Sequence, residues 1–268
     1  MPESRKKTPA RNRDSISNTL LVAIGVSLFC SVLVSATAVI LKPQQLRNQE
    51  LYRQKIVLEV AGLYEDGADV GALFANIETR LVRLDSGEYT DSLDPGNFDP
   101  LAASKDPEQS VAVPADLDIA GIRRRAQLAP VFLVSEAGSV SQLILPVYGS
   151  GLWSTMYGYL ALEADGRTIR GLRFYEHAET PGLGDQIDKP EWRAGWAGKQ
   201  LLDDEGQLRI EVIRGQVTAG DSAIYQVDGL AGATLTGRGV TDLLRYWMGP
   251  HGFGPYLARY TKEARNDG

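Results

Sequence analysis

Cysteine and histidine are nearly missing from this chain of 268 residues, which has one cysteine, Cys30, and two histidines, His177 and His251. A disulfide within the chain is therefore impossible, and so is a self-contained thiolate cluster for zinc or for iron and sulfur. With two histidines a histidine-rich metal site is not expected either, so no metal is expected within this chain alone. Cys30 is left at most as one ligand of a centre shared with another chain; in its apolar run a small packing residue is the plainer reading. No GxGxxG fingerprint follows any strand-like segment, which argues against a dinucleotide site. Any redox chemistry thus needs an organic cofactor or a shared centre.

Excess positive charge is lacking too. The formal charge is -6, from 28 bases and 34 acids. Five of those bases (Arg5, Lys6, Lys7, Arg11, Arg13) and two of the acids (Glu3, Asp14) fall in the first fifteen residues, so the remainder carries -9. An acidic body repels phosphate backbones, and nucleic acid is not an expected partner.

What is present reads as one folded unit with an anchor. Hydrophobic residues make up 43% and charged residues 23%, close to globular averages, so the chain is expected to fold. From Ile16 to Leu41 there is no charge. Its apolar centre, Leu20 to Leu41, reaches roughly 33 Å as a helix, enough for a hydrocarbon core of about 30 Å. A cleaved signal peptide is the alternative, but the run exceeds the usual h-region of about 7–15 residues. Five bases precede the span, and only Lys42 and Arg47 follow closely. The positive-inside rule puts residues 1–15 in the cytoplasm as a tail and everything after the span outside. For a bacterial inner membrane that compartment is the periplasm, and membrane lipid is a partner.

Beyond the transmembrane helix, 16–41, residues 42–128 read as a helical and irregular connecting region. An amphipathic helix is predicted from Pro43 to near Gly67, a short one over Val70 to Glu78, and an irregular surface connection over Ser86 to Pro114. From residue 129 to 268 the texture turns β-rich. The segments PVFLV, SVSQLILPVYG, MYGYLALEAD and RTIRGLRFYEH predict four consecutive antiparallel strands. A helix is predicted over Lys189 to Leu201, a strand at QLRIEVI, and a C-terminal helix from Arg238 to Met248 with Val240, Leu243, Leu244 and Trp247 on one buried face. The fold class is α+β: one N-terminal transmembrane helix, then an exported domain with an antiparallel sheet and flanking helices.

Two loops carry the chemistry. VDGLAGATLTGRGV, Val227 to Val240, reads as a strand end, a glycine turn and a threonine pair opening a helix. Free N–H groups and the positive end of a helix dipole make such a turn a site for phosphate. The bland alternative is Thr236 as an ordinary N-cap with glycines serving a tight turn. EHAETPGLGD, Glu176 to Asp185, has Pro181 to fix the chain and Gly182 and Gly184 to allow close approach to a flat ligand, although alone it is more often a turn.

DGLAGATLT is similar to the flavinylation motif of the NqrC family, a component of sodium-translocating NADH:quinone reductases, and of the related RnfG component of Rnf complexes. ETPGLG resembles the family's second signature. The stretches DIAGIRRRAQLAPVFLV, LPVYGSGLWSTMYGYLALEAD and MGPHGFGPYLARY resemble NqrC and favour it over Rnf. The family usually has Ser or Thr where this chain has Ala231, and often Ser in place of Gly237.

The resemblance implies covalent FMN, its phosphate esterified to Thr234 of the Gly232-Ala233-Thr234 triplet. Asp228 and Gly232 would shape the loop for a flavin transferase, and Thr236 would donate to phosphate or cap the helix. Glu179, Thr180, Leu183 and Gly184 would line the flavin, Leu183 as an apolar contact and Thr180 as a donor. Tyr148 and Trp153 would flank the ring, core packing being the plainer reading of both. A neutral structural role is the reading for His177. Working beside the complex's NqrA, NqrB, NqrD, NqrE and NqrF components, the chain would relay electrons from NADH toward ubiquinone, coupled to sodium export. Two alternatives stand beside this: the Rnf component, and an anchored module that holds flavin reversibly.

Overall fold

In the computed structural model, which describes residues 15–266, the uncharged run belongs to one long helix, α1 (Ile16–Val60). The expected cytoplasmic tail, apart from Ser15, lies outside the described residues. Ser15 Oγ accepts the Asn18 N–H at 3.3 Å and caps the helix start. Leu20, Phe29, Val34 and Ile40 are all more than half exposed. A helix apolar on every side has its natural surroundings in hydrocarbon, and this one has the length and composition to cross a membrane. The separate helix predicted after Pro43 is the continuation of the first. Pro43 offers no N–H to the Val39 carbonyl, yet the flanking turns carry α1 through it to Val60. Cys30 lies on the exposed surface of α1.

Two compact units divide the chain, Met1–Glu50 and Leu51–Gly268. The second is built on a six-stranded antiparallel sheet of β1 (Glu78–Arg83), β2 (Tyr89–Thr90), β5 (Leu128–Glu136), β6 (Ser139–Ser150), β7 (Thr155–Glu163) and β8 (Ile169–Glu176), in the order β2-β1-β5-β6-β7-β8. Strand residues alternate between two cores. Val131, Leu133, Leu143, Leu145, Leu160 and Leu162 face one, while Phe132, Val134, Ile144, Tyr159 and Ala161 face the other. Both faces are covered, which is why these strands read as nearly continuous apolar runs. The last turns of α1, with Ile56, Val57, Leu58 and Val60, cover the second face. The first is covered by α5 (Thr234–Met248), through Val240, Leu243, Leu244 and Trp247, and by Phe253, Tyr256 and Leu257 in and beside α6 (Gly254–Asn266). Each such side chain, fully buried, contributes about 1.5–3 kcal/mol.

Strands β5 to β8 are the four that the sequence predicts. Elsewhere the structure departs from expectation. The second helix, α2 (Val70–Phe74), ends early, and Glu78 opens β1, which pairs with β5 from Glu78↔Leu133 to Arg83↔Leu128. The stretch expected to be irregular contains β2, α3 (Pro100–Lys105) and β3 (Ser110–Ala112), the last paired with β4 (Arg124–Ala126). Asp99 caps α3 by accepting the N–H groups of Leu101 and Ala102, with Pro100 in the first turn. The helix predicted to Leu201 is only α4 (Pro190–Ala194): beyond it the N–H groups of Trp196 and Ala197 bond three residues back in tight turns, and Gly198 then takes φ +78°, where a helix cannot continue. QLRIEVI yields the two-residue β9 (Glu211–Val212), parallel to β10 (Gln226–Val227). The C-terminal helix starts at Thr234, four residues earlier than expected, and α6 follows it unforeseen.

Candidate functional site

Three loops meet at one end of the sheet: the β6–β7 turn at Gly151 to Ser154, the loop after β8 at Glu179 to Gly184, and the turn entering α5 at Gly229 to Ala233. Glu179 ties them together. It is 5% exposed, and its carboxylate accepts from three donors. Oε1 takes the N–H groups of Leu152 at 2.9 Å and Trp153 at 3.1 Å, and Oε2 takes the Thr236 hydroxyl at 2.5 Å. A buried carboxylate is costly unless its lone pairs are used, and short charge-assisted bonds of this kind offset that cost. Gln186 Nε2 adds a second tie, donating to the carbonyls of Leu183 at 2.8 Å and Ala231 at 3.1 Å.

Glycine is required where the loops touch. A Cβ on Gly184 would come within 2.8 Å of Glu179 Cβ, Glu179 Oε2 and Thr236 Oγ1 together. Gly232, at φ +74°, lies where a Cβ would meet Leu183 Cδ2 at 2.9 Å. A Gly184→Ala chain is therefore expected to lose about 2–3 kcal/mol, the cost of overpacking a closed contact. An unchanged thermal midpoint would contradict this packing.

Thr234 is the first residue of α5, and its side chain is exposed. Ala233 stands at the N-cap with no side chain able to cap. Thr236 does not cap either: it is buried inside the first turn and its hydroxyl proton goes to Glu179, which corrects the expectation of a cap or a phosphate donor. First-turn N–H groups have no carbonyl partner within a helix, so this end presents uncapped donors and the positive pole of the dipole beside the Thr234 hydroxyl. A cavity of about 420 Å³ adjoins Thr234, and Arg214, Arg238 and Arg245 line it with Glu211 and Asp242. Arg245 pairs with Glu211 at 3.2 Å and Arg238 with Asp242 at 3.5 Å. Desolvation raises the Asp242 carboxyl above its ordinary pKa.

The expected site residues separate into those brought together and one that is not. Glu179, Thr180, Leu183, Gly184, Gly232, Ala233, Thr234 and Thr236 share these loops. Trp153 joins them: its ring is 70% exposed, against the core-packing reading, and Nε1 donates to Thr180 Oγ1 at 2.9 Å. Tyr148 does not join. Its ring stacks on Tyr157 at 5.7 Å and leans on Trp247 at 4.8 Å, and burial pushes its hydroxyl pKa well up, so core packing is its role. Asp228 braces the turn from behind, Oδ1 accepting from Val217 N at 2.7 Å and its carbonyl from Trp192 Nε1 at 2.9 Å.

Sequence reasoning missed Gln186, Leu152 and Leu235. The two leucines are 45% and 57% exposed, and like Trp153 and Leu183 they are apolar side chains left open to solvent on these loops and the first turn of α5. Leu235 had a readable signal, since it falls off the Val240, Leu243, Leu244, Trp247 stripe of α5 and cannot face the core.

Residues 151–249 match the family model described as an FMN-binding domain. NqrC of the Na(+)-translocating NADH-quinone reductase of Pseudomonas aeruginosa is 49% identical over 94% of this chain and 98% of its own length. The Yersinia pestis protein of the same name is 45% identical over 96% of this chain and 98% of its own length. Among solved structures, NqrC of Shewanella oneidensis superposes with a TM-score of 0.73 at 39% identity, covering 78% of this chain and 96% of that one.

Proposed function

The chain belongs to the NqrC family of Na(+)-translocating NADH-quinone reductases, and from that membership we propose that it carries FMN as a phosphoester on Thr234 and relays electrons between neighbouring subunits on the outer side of the membrane. It is an electron-transfer subunit with an FMN-binding domain, part of an oxidoreductase complex. Bound FMN supplies one-electron redox chemistry that no side chain of this chain provides.

The observation that carries the covalent reading is the exposed Thr234 hydroxyl at the uncapped start of α5, beside a cavity lined by three arginines. A phosphate there would take the place of the missing cap, and the helix pole and Arg214 would offset its charge, Arg238 and Arg245 being paired with Asp242 and Glu211. Forming the ester takes the threonine proton and an oxygen substituent of the phosphorus, one water in all relative to free FMN, and leaves the isoalloxazine unaltered, so flavin electronics would be set by contacts. Leu183, Trp153, Leu235 and Leu152 are exposed apolar side chains that would be available to a flat ring. Thr180 Oγ1 accepts from Trp153, which leaves its own proton free to donate. Glu179 and Gln186 hold the loops in register. The α1 span anchors this domain, and the five bases before it keep the N-terminus in the cytoplasm.

Fluorescence in a denaturing gel tests the reading. Made in cells with the flavin transferase, the full chain is expected to keep yellow-green fluorescence on its band. A reversibly held flavin would be lost on denaturation and leave the band dark.

A further inference from the structure

His177 lies two residues before Glu179, with its ring 12% exposed. Its nitrogens serve two partners. Nδ1 accepts the Glu179 N–H at 3.2 Å, and Nε2 is 2.8 Å from Asp188 Oδ2. A peptide N–H can only donate, so Nδ1 carries no proton in this arrangement; a carboxylate only accepts, so Nε2 carries it. The bond from residue i to the N–H of i+2 is the geometry of an Asx turn, with an imidazole in place of the amide oxygen. Through Glu179 the effect reaches Leu152, Trp153 and Thr236.

We propose that His177 is a positioning residue for the flavin loop: its neutral, Nε2-protonated tautomer, held by Asp188, fixes the Glu179 peptide, and protonation at Nδ1 releases it. This rests on the flavin reading of that loop given above. The site is thereby made sensitive to pH without any group that touches the flavin having to titrate.

The charges around the ring set the direction. Asp188 and Asp185 from the turn at Gly184–Asp188, Glu179 on the same loop, Glu176 and Arg173 on β8, and Tyr52 on α1 face it or share its recess. Arg193 of α4 acts on Asp188 from the side. Asp188, through its hydrogen bond, holds the imidazole pKa above the ordinary 6.5, and desolvation opposes this. The two bonds then respond to pH in opposite senses. Stabilisation by the Asp188 ion pair is fully present below the unfolded imidazole's pKa and is lost as pH rises through the raised folded value. The Glu179 N–H bond exists only above that folded value. The loop is expected to tighten as pH rises through a value above 6.5 and to loosen below it.

The test uses the full chain in detergent with ¹⁵N-labelled histidine, in a His251→Gln background so that one imidazole is seen. Above the transition, Nδ1 is expected to resonate as an unprotonated nitrogen and Nε2 as an N–H. Hydrogen exchange of the Glu179 amide, corrected for its intrinsic pH dependence, is expected to slow about fivefold or more across the same transition, the effect of one hydrogen bond. His177→Ala should exchange fast on both sides of it. His177→Asn, whose side-chain oxygen supplies an acceptor at any pH, should exchange slowly on both. An Nδ1–H tautomer above the transition, or a His177→Ala chain as protected as the parent, overturns the proposal. Should the alanine variant fail to fold, the parent's own titration decides. Gel fluorescence reads the flavin separately: a dark band with the exchange pattern intact sinks the flavin reading alone, and a bright band without that pattern sinks the His177 role alone.

Discussion

A Thr234→Val chain made beside its flavin transferase is expected to give a dark band in a denaturing gel where the parent glows, a complete loss and not a graded one. Valine has the shape of threonine without the hydroxyl. Thr234 is exposed and its side chain makes no hydrogen bond among the described residues, so the exchange should move stability by no more than about 0.5 kcal/mol. Unchanged thermal melting would show that the loss is chemical. Thr236 cannot take over, because it is 1% exposed and its proton is committed to Glu179. Fluorescence surviving in the valine variant would move the attachment elsewhere.

Glu179→Ala should be the most damaging substitution that leaves the attachment residue in place. It strips acceptors from the Leu152 and Trp153 amides and the Thr236 hydroxyl at once. Trp153 is open to solvent and its amide can find water, but the buried Thr236 hydroxyl cannot. A destabilisation of about 3 kcal/mol follows from unsatisfied buried donors, together with strongly reduced flavin loading, because the start of α5 loses its tie. Glu179→Gln should be much milder, about 1 kcal/mol: its oxygen keeps the two backbone bonds, and its amide can donate to Thr236 Oγ1. Equal losses for alanine and glutamine, measured by denaturant titration, would mean that packing and not hydrogen bonding makes this residue important.

How far the sequence could be read depended on the length scale of each signal. The span and strands β5 to β8 rest on long apolar runs, and these are properties of composition. Strand β1 carries Glu78, Arg80 and Arg83, so it has no strand signature of its own and forms because β5 offers an edge. Helix α6 was legible in principle: Pro255 sits in its first turn, and Tyr256, Leu257 and Tyr260 share a face. The site divides in the same way. Gly184 and Gly232 announce close approach in the sequence, and the structure supplies the atoms approached. That a glutamate should be the buried centre of the site was not legible, since Glu179 looks like any surface carboxylate until its three donors arrive from distant segments. Tyr148 and Trp153 flank the same glycines and invite the same reading, but β6 turns the tyrosine to the core and the turn after it leaves the tryptophan outside.

Peptide mass mapping of the protein from cells with an active transferase is the most direct measurement. Trypsin should release the segment from Gly215 to Arg238, heavier by one FMN less one water, with fragment ions placing the whole increment on Thr234. An unmodified segment, or an increment on Thr218, Ser222 or Thr236, would contradict the attachment from which the electron-relay role follows.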